Sequence, residues 1–400
     1  MNLTQQRLLR ALEQALQGGS VTWSEEIPQA QWQELYDLAQ QHHISPLIYQ
    51  AVGRCPAFAS AGSLAAGWKQ RSIQLCMLQV RRTEEFWALY EKLTEAHIPA
   101  LVVKGLICRQ VYPNGDLRLS SDEDLLINRV DFLSTHDLFL RSGMALSEEN
   151  TPILEVYEVP YHSAGALRIE LHKSLFPTQS EAYGDWNRFF EGCFDRCVTM
   201  EVNGRRVNTL SPTDHCFYLL CHAFKHFLHS GFGIRQVCDI CLFSQTYKAE
   251  IDWEQVWQNC REIRCEGFAQ AVFNIGAKHL GLDSPVFADT DEMPMLEDLL
   301  SGGVYGSSSE DRLHSSTITL GAVSAQKSGK SPSPLRSAFP KREDMEGRYP
   351  MLKKRPWLLP VAWGHRIVRY GRGNKVSNAA QSLKIGQKRV ELLRYYNIID

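Results

Sequence analysis

The sequence lacks any uninterrupted apolar run approaching the roughly 18 residues from which a membrane-spanning helix is built. Its first residues, MNLTQQRLLRALEQALQ, have helical periodicity but no continuous apolar segment of the kind found in a secretory signal. The 11 cysteines are an odd number and, without a signal, fit free thiols in the core of a protein in a reducing compartment. We therefore expect a cytoplasmic protein with no transmembrane segment.

The chain also lacks a strong overall charge, since its formal net charge is −2, so total charge predicts no partner. The distribution of charge is uneven. From Lys327 onward the chain has 17 Lys/Arg against 5 Asp/Glu, which leaves the preceding residues acidic. This asymmetry predicts a basic C-terminal arm on an acidic body.

The most informative stretch runs from Val102 to Ile127, VVKGLICRQVYPNGDLRLSSDEDLLI. It predicts a short apolar strand, a turn at Lys104 and Gly105, a helix of about two turns, and a second strand from Asp122 to Ile127. Alternation along a strand places Asp122 and Asp124 on one face and Glu123 on the other. Two neighbouring carboxylates repel each other unless a cation lies between them, and oxygen ligands of this kind suit Mg²⁺.

A third carboxylate belongs with this pair. The segment LRIELHKSL, from Leu167 to Leu175, alternates like a strand and places Glu170 and His172 on one face, with a further strand-like segment at Ile153–Tyr161 before it. If this strand lies beside residues 122–127, Glu170 completes a cluster of three acids. Three acids can hold two divalent ions, an arrangement that supports in-line transfer of phosphoryl or nucleotidyl groups.

Lys-Gly followed by a short helix, then R-x3-D-x-D and a later E-x-H strand, resembles the DNA polymerase β-like nucleotidyltransferase superfamily, and most closely an uncharacterised bacterial branch with Lys-Gly in place of Gly-Ser. The resemblance implies that Asp122, Asp124 and Glu170 are the catalytic, metal-binding carboxylates. It implies Mg²⁺ or Mn²⁺ as cofactor and an NTP, with ATP expected, as donor. The residues expected to contact the nucleotide are Lys104, Gly105, Arg118, His172, Lys225 and Arg235. In the absence of the usual serine, Lys104 and backbone N–H groups at the helix start are expected to hold the triphosphate.

The expected fold class is α+β, a nucleotidyltransferase core with a mixed β-sheet between N-terminal and C-terminal helical regions. We expect five segments: an N-terminal helical region at 1–97, the α/β core at 98–210, a helical domain at 211–290, a flexible Gly/Ser-rich linker at 291–345, and the basic arm at 346–400. In the resembling family, a helical domain of this kind packs over the nucleotide, which is why Lys225, His226, Arg235 and Asp239 are candidates.

The resulting hypothesis is a Mg²⁺-dependent enzyme that moves NMP from an NTP to a hydroxyl of an unidentified acceptor, which is a protein, a tRNA or a small molecule. The alternative is a catalytically silent nucleotide sensor or scaffold. Three interpretations of the basic arm stay open, namely contact with nucleic acid, contact with an anionic membrane surface, and packing onto the acidic body. His222, His226 and His229, near Cys238 and Cys241, have metal-ligand spacing, although a packed helix with histidines facing the active site accounts for them better.

Overall fold

The structure of the protein, a computed structural model, describes residues 1–229, 231–285, 289–302, 310–328, 351–365 and 376–400, together with Arg342, Met345 and Tyr349. The expected linker at 291–345 and basic arm at 346–400 therefore lie partly outside the described residues. None of the described helices is both long and apolar enough to cross a membrane.

The N-terminal region is helical. Its helices are α1 (Leu3–Leu16), α2 (Gln29–Gln41), α3 (Ser45–Val52) and α4 (Ser63–Glu95). Helix α1 begins with a capping box in which the Asn2 side chain accepts the N–H of Gln5 and the Gln5 side chain accepts the N–H of Asn2. The apolar stripe that includes Leu8 and Leu12 is fully buried, so the periodicity of this segment correctly predicts its inner face.

The strands of the core form a five-stranded mixed sheet in the order β1-β2-β5-β4-β3. The strands are β1 (Ala100–Val103), β2 (Glu123–Ile127), β3 (Met144–Leu146), β4 (Glu158–Ser163) and β5 (Arg168–His172), and the helices between them are α5 (Gly105–Arg109) and α6 (Phe132–Arg141). Strands β2 and β5 pair in parallel, and the other neighbours are antiparallel. The expected α+β class with a mixed sheet is confirmed. Strand β4 begins at Glu158 rather than at Ile153.

A separate hairpin follows the sheet, made of β6 (Val198–Val202) and β7 (Arg205–Thr209). Its turn residues, Asn203 and Gly204, have φ of 52° and 76°, the positive values that a two-residue turn between right-twisted strands requires. Asn-Gly between two strand segments is the sequence pattern typical of such a turn. Thr209 ties the hairpin to the sheet, because its hydroxyl donates to the Val102 carbonyl at 2.7 Å.

The next segment is again helical, with α7 (Pro212–His229), α8 (Ile234–Thr246), α9 (Trp253–Glu262) and α10 (Glu266–Leu280). Helix α7 begins with proline, whose fixed φ suits a first helical position. The helix runs beside the start of α5, where His215 of α7 accepts the backbone N–H of Lys104 at 3.2 Å.

Part of the range 291–345, where we expected a linker, is helical among the described residues. This part contains two helices, α11 (Met293–Gly302) and α12 (Glu310–Ser328). Met295, Leu296 and Leu299 of α11 are buried in the main core, so their helical spacing outweighs the local glycine and serine content.

The described part of the basic arm contains α13 (Met351–Lys354) and α14 (Val376–Tyr395). Leu392, Leu393 and Tyr396 pack into the main core, and the buried Arg389 donates to backbone carbonyls at the end of α7. Leu352 and Ala362 belong to a smaller, separate apolar cluster. For residues 389–400, packing onto the body is therefore the interpretation that matches the structure.

Candidate active site

The parallel pairing of β2 and β5 brings two of the predicted carboxylates together. Asp124 and Glu170 are partners in the register, and His172 follows two residues later on β5. Ligand atoms of Asp124, Glu170 and His172 all lie within 4.8 Å of one another. The His172 Nε2 is 3.3 Å from Asp124 Oδ1 and 3.8 Å from Glu170 Oε2. We call these three residues, with Asp122, the carboxylate group.

Asp122 lies one residue before β2 and is half-buried, outside the set of atoms within 4.8 Å. Its charge nevertheless reaches the group, because it helps to raise the pKa of both Lys104 and Glu170. Glu123 points to the opposite face, where its carboxylate forms a buried ion pair with Arg109 at 2.6 Å. The alternation expected along this strand is therefore present.

A further acid, Glu158 on β4, adjoins the group and was not among the residues expected from the sequence. Glu158 is the register partner of His172, and its Oε2 lies 3.6 Å from His172 Nδ1. The two strand-like segments at 153–161 and 167–172 could have indicated such a residue. If they pair as adjacent antiparallel strands, one residue of the first must lie beside His172.

The Lys104 ammonium lies against this group. Its Nζ is 2.9 Å from Asp124 Oδ2, 3.1 Å from Asp124 Oδ1 and 3.4 Å from His222 Nε2. Burial acts to lower the pKa of Lys104, but the charges of Asp124 and Asp122 outweigh it and raise that pKa well above its usual value. Lys104 is therefore a permanent cation beside Asp124.

The environment separates the pKa values of the two carboxyl groups. Burial, reinforced by repulsion from Asp124 and Asp122, raises the pKa of Glu170 to about 7. Burial has the same tendency at Asp124, but Lys104 and His172 overcome it and hold the Asp124 pKa below its usual value. One carboxylate is thus ionised at neutral pH while the other is able to exchange a proton, a pairing typical of acid–base chemistry.

The Gly105 turn differs from the phosphate-binding loop that the resemblance implies. The Leu106 N–H, at the start of α5, donates to Glu123 Oε2 at 2.8 Å. A Cβ added to Gly105 would lie 2.1 Å from the same oxygen, so glycine is required for the approach of this carboxylate. A protein side chain already occupies the place expected for a phosphate.

Arg118 and Arg235 are also placed differently from expectation. Arg118 is buried and forms an ion pair with Asp239 of α8, its Nε donating to Oδ1 at 3.0 Å. Arg235 donates to the Leu119 carbonyl. Both side chains join α8 to the segment before β2.

Helix α7 supplies the other side of the site. The Lys225 ammonium lies 6.0 Å from the centre of the Tyr157 ring. Burial lowers the pKa of Lys225, and the nearby acids Glu158 and Glu170 act against that shift. The His222 and His226 rings are 3.3 Å apart at their Nε2 atoms, and burial lowers both pKa values.

The donor atoms of the carboxylate group fit a hard divalent cation. Carboxylate oxygens are the ligands that Mg²⁺ and Mn²⁺ prefer, and Asp124 and Glu170 present them from adjacent strands. His172 orients Asp124 by a hydrogen bond, in the manner of residues that surround metal ligands.

Comparison with known proteins adds the family. A family described as "Uncharacterised nucleotidyltransferase" matches residues 28–281, which include the whole carboxylate group and α7. A solved structure of an antigenic nucleotidyltransferase-like protein from Paracoccidioides brasiliensis is similar at 12% sequence identity, covering 52% of this chain and 94% of that chain with a TM-score of 0.32. No curated protein matches the sequence. Because this match covers well over half of the chain, the protein belongs to this family of uncharacterised nucleotidyltransferases.

Proposed function

We propose that the protein transfers NMP from an NTP to a hydroxyl group of an acceptor, with Mg²⁺ or Mn²⁺, as a member of the polymerase β-like superfamily. The observation that carries the proposal is the convergence of Asp124 and Glu170 on adjacent parallel strands. The family match supports the general reaction, and the donor atoms support the cation.

The roles follow from position and charge. Asp122, Asp124 and Glu170 would hold the cation, which when bound acidifies the attacking hydroxyl and neutralises charge on the triphosphate. Glu170, beside Asp124 on the adjacent strand, accepts the proton of the acceptor hydroxyl. The acceptor oxygen forms a bond to the α-phosphorus, the bond to the bridging oxygen of the β-phosphate breaks, and pyrophosphate leaves. Lys225 is placed to contact the triphosphate.

The segments at 98–210 and 211–290 would then serve as the catalytic core and the helical cover of the nucleotide. All 11 cysteines are free, which favours a reducing compartment, and we infer a cytoplasmic reaction. ATP is the proposed donor. The acceptor is a protein, a tRNA or a small molecule.

Labelled nucleotides test this reaction directly. The purified protein is incubated with Mg²⁺, cell extract and each of the four NTPs, labelled in parallel at the α- or the γ-phosphate. Nucleotidyl transfer predicts that the α-label alone enters an acceptor and that pyrophosphate is released. Entry of the γ-label would identify a kinase and overturn the proposal.

A second candidate is a nucleotide sensor without turnover. Two contacts favour it: Lys104 already neutralises Asp124, and Glu123 occupies the start of α5. Calorimetry separates the candidates, since the sensor binds an NTP while releasing no pyrophosphate with any acceptor fraction.

A further inference from the structure

The position of Lys104 bears on how many divalent ions the proposed site accepts. Where two metal ions act on one phosphoryl group, they lie about 3.5–4 Å apart, and a carboxylate between them offers one oxygen to each. In this structure both oxygens of Asp124 face the same ammonium, at 2.9 and 3.1 Å from Lys104 Nζ. The Asp124 side chain is 2% exposed and that of Lys104 is 16% exposed, so this ion pair is largely shielded from water.

The backbone around Lys104 holds the ammonium in place. Lys104 has a φ of 68°, in the region that favours glycine. His215 fixes this conformation by accepting the Lys104 N–H at 3.2 Å, and its other ring nitrogen lies 3.2 Å from the Thr209 hydroxyl. A glycine would take this backbone without strain, whereas this chain has a lysine at a position that disfavours any side chain.

A second neighbour accommodates the ammonium on its far side. His222 Nε2 lies 3.4 Å from Lys104 Nζ. Burial and the neighbouring lysine keep the pKa of His222 well below its usual value, so the ring is neutral and able to accept a hydrogen bond. A carboxylate on one side and a neutral imidazole on the other form a site for a single positive charge.

We propose that the Lys104 ammonium takes the place of one of the two divalent ions, so that the site binds a single divalent ion together with the nucleotide. This inference rests on the proposed function. The two-ion arrangement expected from the sequence would need a metal ion beside Asp124, at the position that the Lys104 ammonium occupies.

Equilibrium dialysis counts the ions directly. The full-length protein is dialysed against Mn²⁺ and a non-hydrolysable ATP analogue, and both species bound per chain are measured. We expect one Mn²⁺ per bound analogue in the wild type. Lys104→Gly suits the backbone and removes the ammonium from both Asp124 oxygens, so we expect two Mn²⁺ per bound analogue in that variant.

Lys173→Met is the matched control, because it removes a positive charge beside His172, over the Phe132 ring, without freeing Asp124, and we expect it to keep one Mn²⁺. Two Mn²⁺ in the wild type, or one in a folded Lys104→Gly variant, would overturn the inference. If the glycine variant does not fold, Lys104→Met gives the same comparison with side-chain volume kept. Failure of the wild type to bind the analogue would instead defeat the proposed function.

Discussion

At the scale of single residues, Gly105 shows how a backbone requirement can belong to structure rather than to substrate binding. The buried Glu123 carboxylate receives the Leu106 N–H on one oxygen and Arg109 on the other. It fits because no side chain projects from Gly105. In the Lys-Gly pair, Lys104 thus supplies a charge beside Asp124, and Gly105 leaves space for the Glu123 carboxylate.

Gly105→Ala should therefore destabilise the protein. The new Cβ must displace Glu123 from its buried pair with Arg109, and disrupting such a pair costs about 3 kcal/mol or more in the free energy of unfolding. Chemical denaturation measures the loss. The control is Gly67→Ala in α4, where the added Cβ meets nothing within 4 Å and should stabilise the helix by about 0.5–1 kcal/mol.

Strand alternation alone predicts which residues of the D-E-D run face the site, because the period of two is a property of the backbone. The sequence does not predict that Lys104 lies on Asp124. That contact depends on a positive φ and on His215, more than 100 residues away, and neither leaves a periodic signal.

At the scale of elements, α7 presents a polar stripe to the sheet. His215, Tyr218, His222, Lys225 and His229 follow spacings of three and four residues along one helical face. Two of these histidines, His222 and His229, are also among the histidines with metal-ligand spacing. The spacing of all five residues can be recognised in the sequence. It favours a helix whose polar face covers the carboxylate group.

The buried ion pair of Arg118 and Asp239 joins α8 to the core, and its removal should destabilise the protein. Arg118→Met leaves the buried Asp239 carboxylate without its cation and should lower the free energy of unfolding by about 3–5 kcal/mol. Tyr112 donates to the same carboxylate, so Asp239→Asn keeps an acceptor for its hydroxyl.

A double-mutant cycle tests this contact. The double variant should be destabilised by clearly less than the sum of the two single changes. Additive losses of unfolding free energy would contradict this contact. A folded Arg118→Met variant whose only defect is weaker nucleotide binding would instead support a contact of Arg118 with phosphate.

At the scale of the whole molecule, the C-terminal residues complete the core. Tyr396 is buried, and its hydroxyl lies 3.1 Å from the Met295 nitrogen and 3.0 Å from the Asp291 carbonyl oxygen. Charge composition predicts an acidic body and a basic arm, but it cannot show which arm residues fold back. The residues that fold back are the apolar ones near the end of α14, which pack into the main core.

Tyr396→Ala should cost about 3–5 kcal/mol of folding free energy, the usual loss for a large buried aromatic side chain. The adjacent Tyr395 is 51% exposed, and Tyr395→Ala should cost less than about 1 kcal/mol. Thermal and denaturant unfolding of the two variants checks this difference. Equal effects would mean that the C-terminal residues do not pack as described.

Buried histidines give the stability a pH dependence. His42 is fully buried, and burial lowers its pKa to about 4. Between pH 6.5 and about 4 the unfolded chain binds a proton at His42 that the folded chain excludes, so stability falls as pH falls, by about 3 kcal/mol in total. His42→Leu should flatten the unfolding free energy over this range, and an unchanged slope would contradict a buried neutral ring.

The most direct test of the central claim compares nucleotide transfer from α-labelled ATP by the wild type, Asp124→Asn and Glu170→Gln, with each variant checked for folding by circular dichroism. The exposed Asp116→Asn is the matched control. If the carboxylate group is the reaction centre, both site variants should fold and lose transfer by about 10³-fold, while the control keeps its activity. Transfer at the wild-type rate by Asp124→Asn and Glu170→Gln would contradict the account.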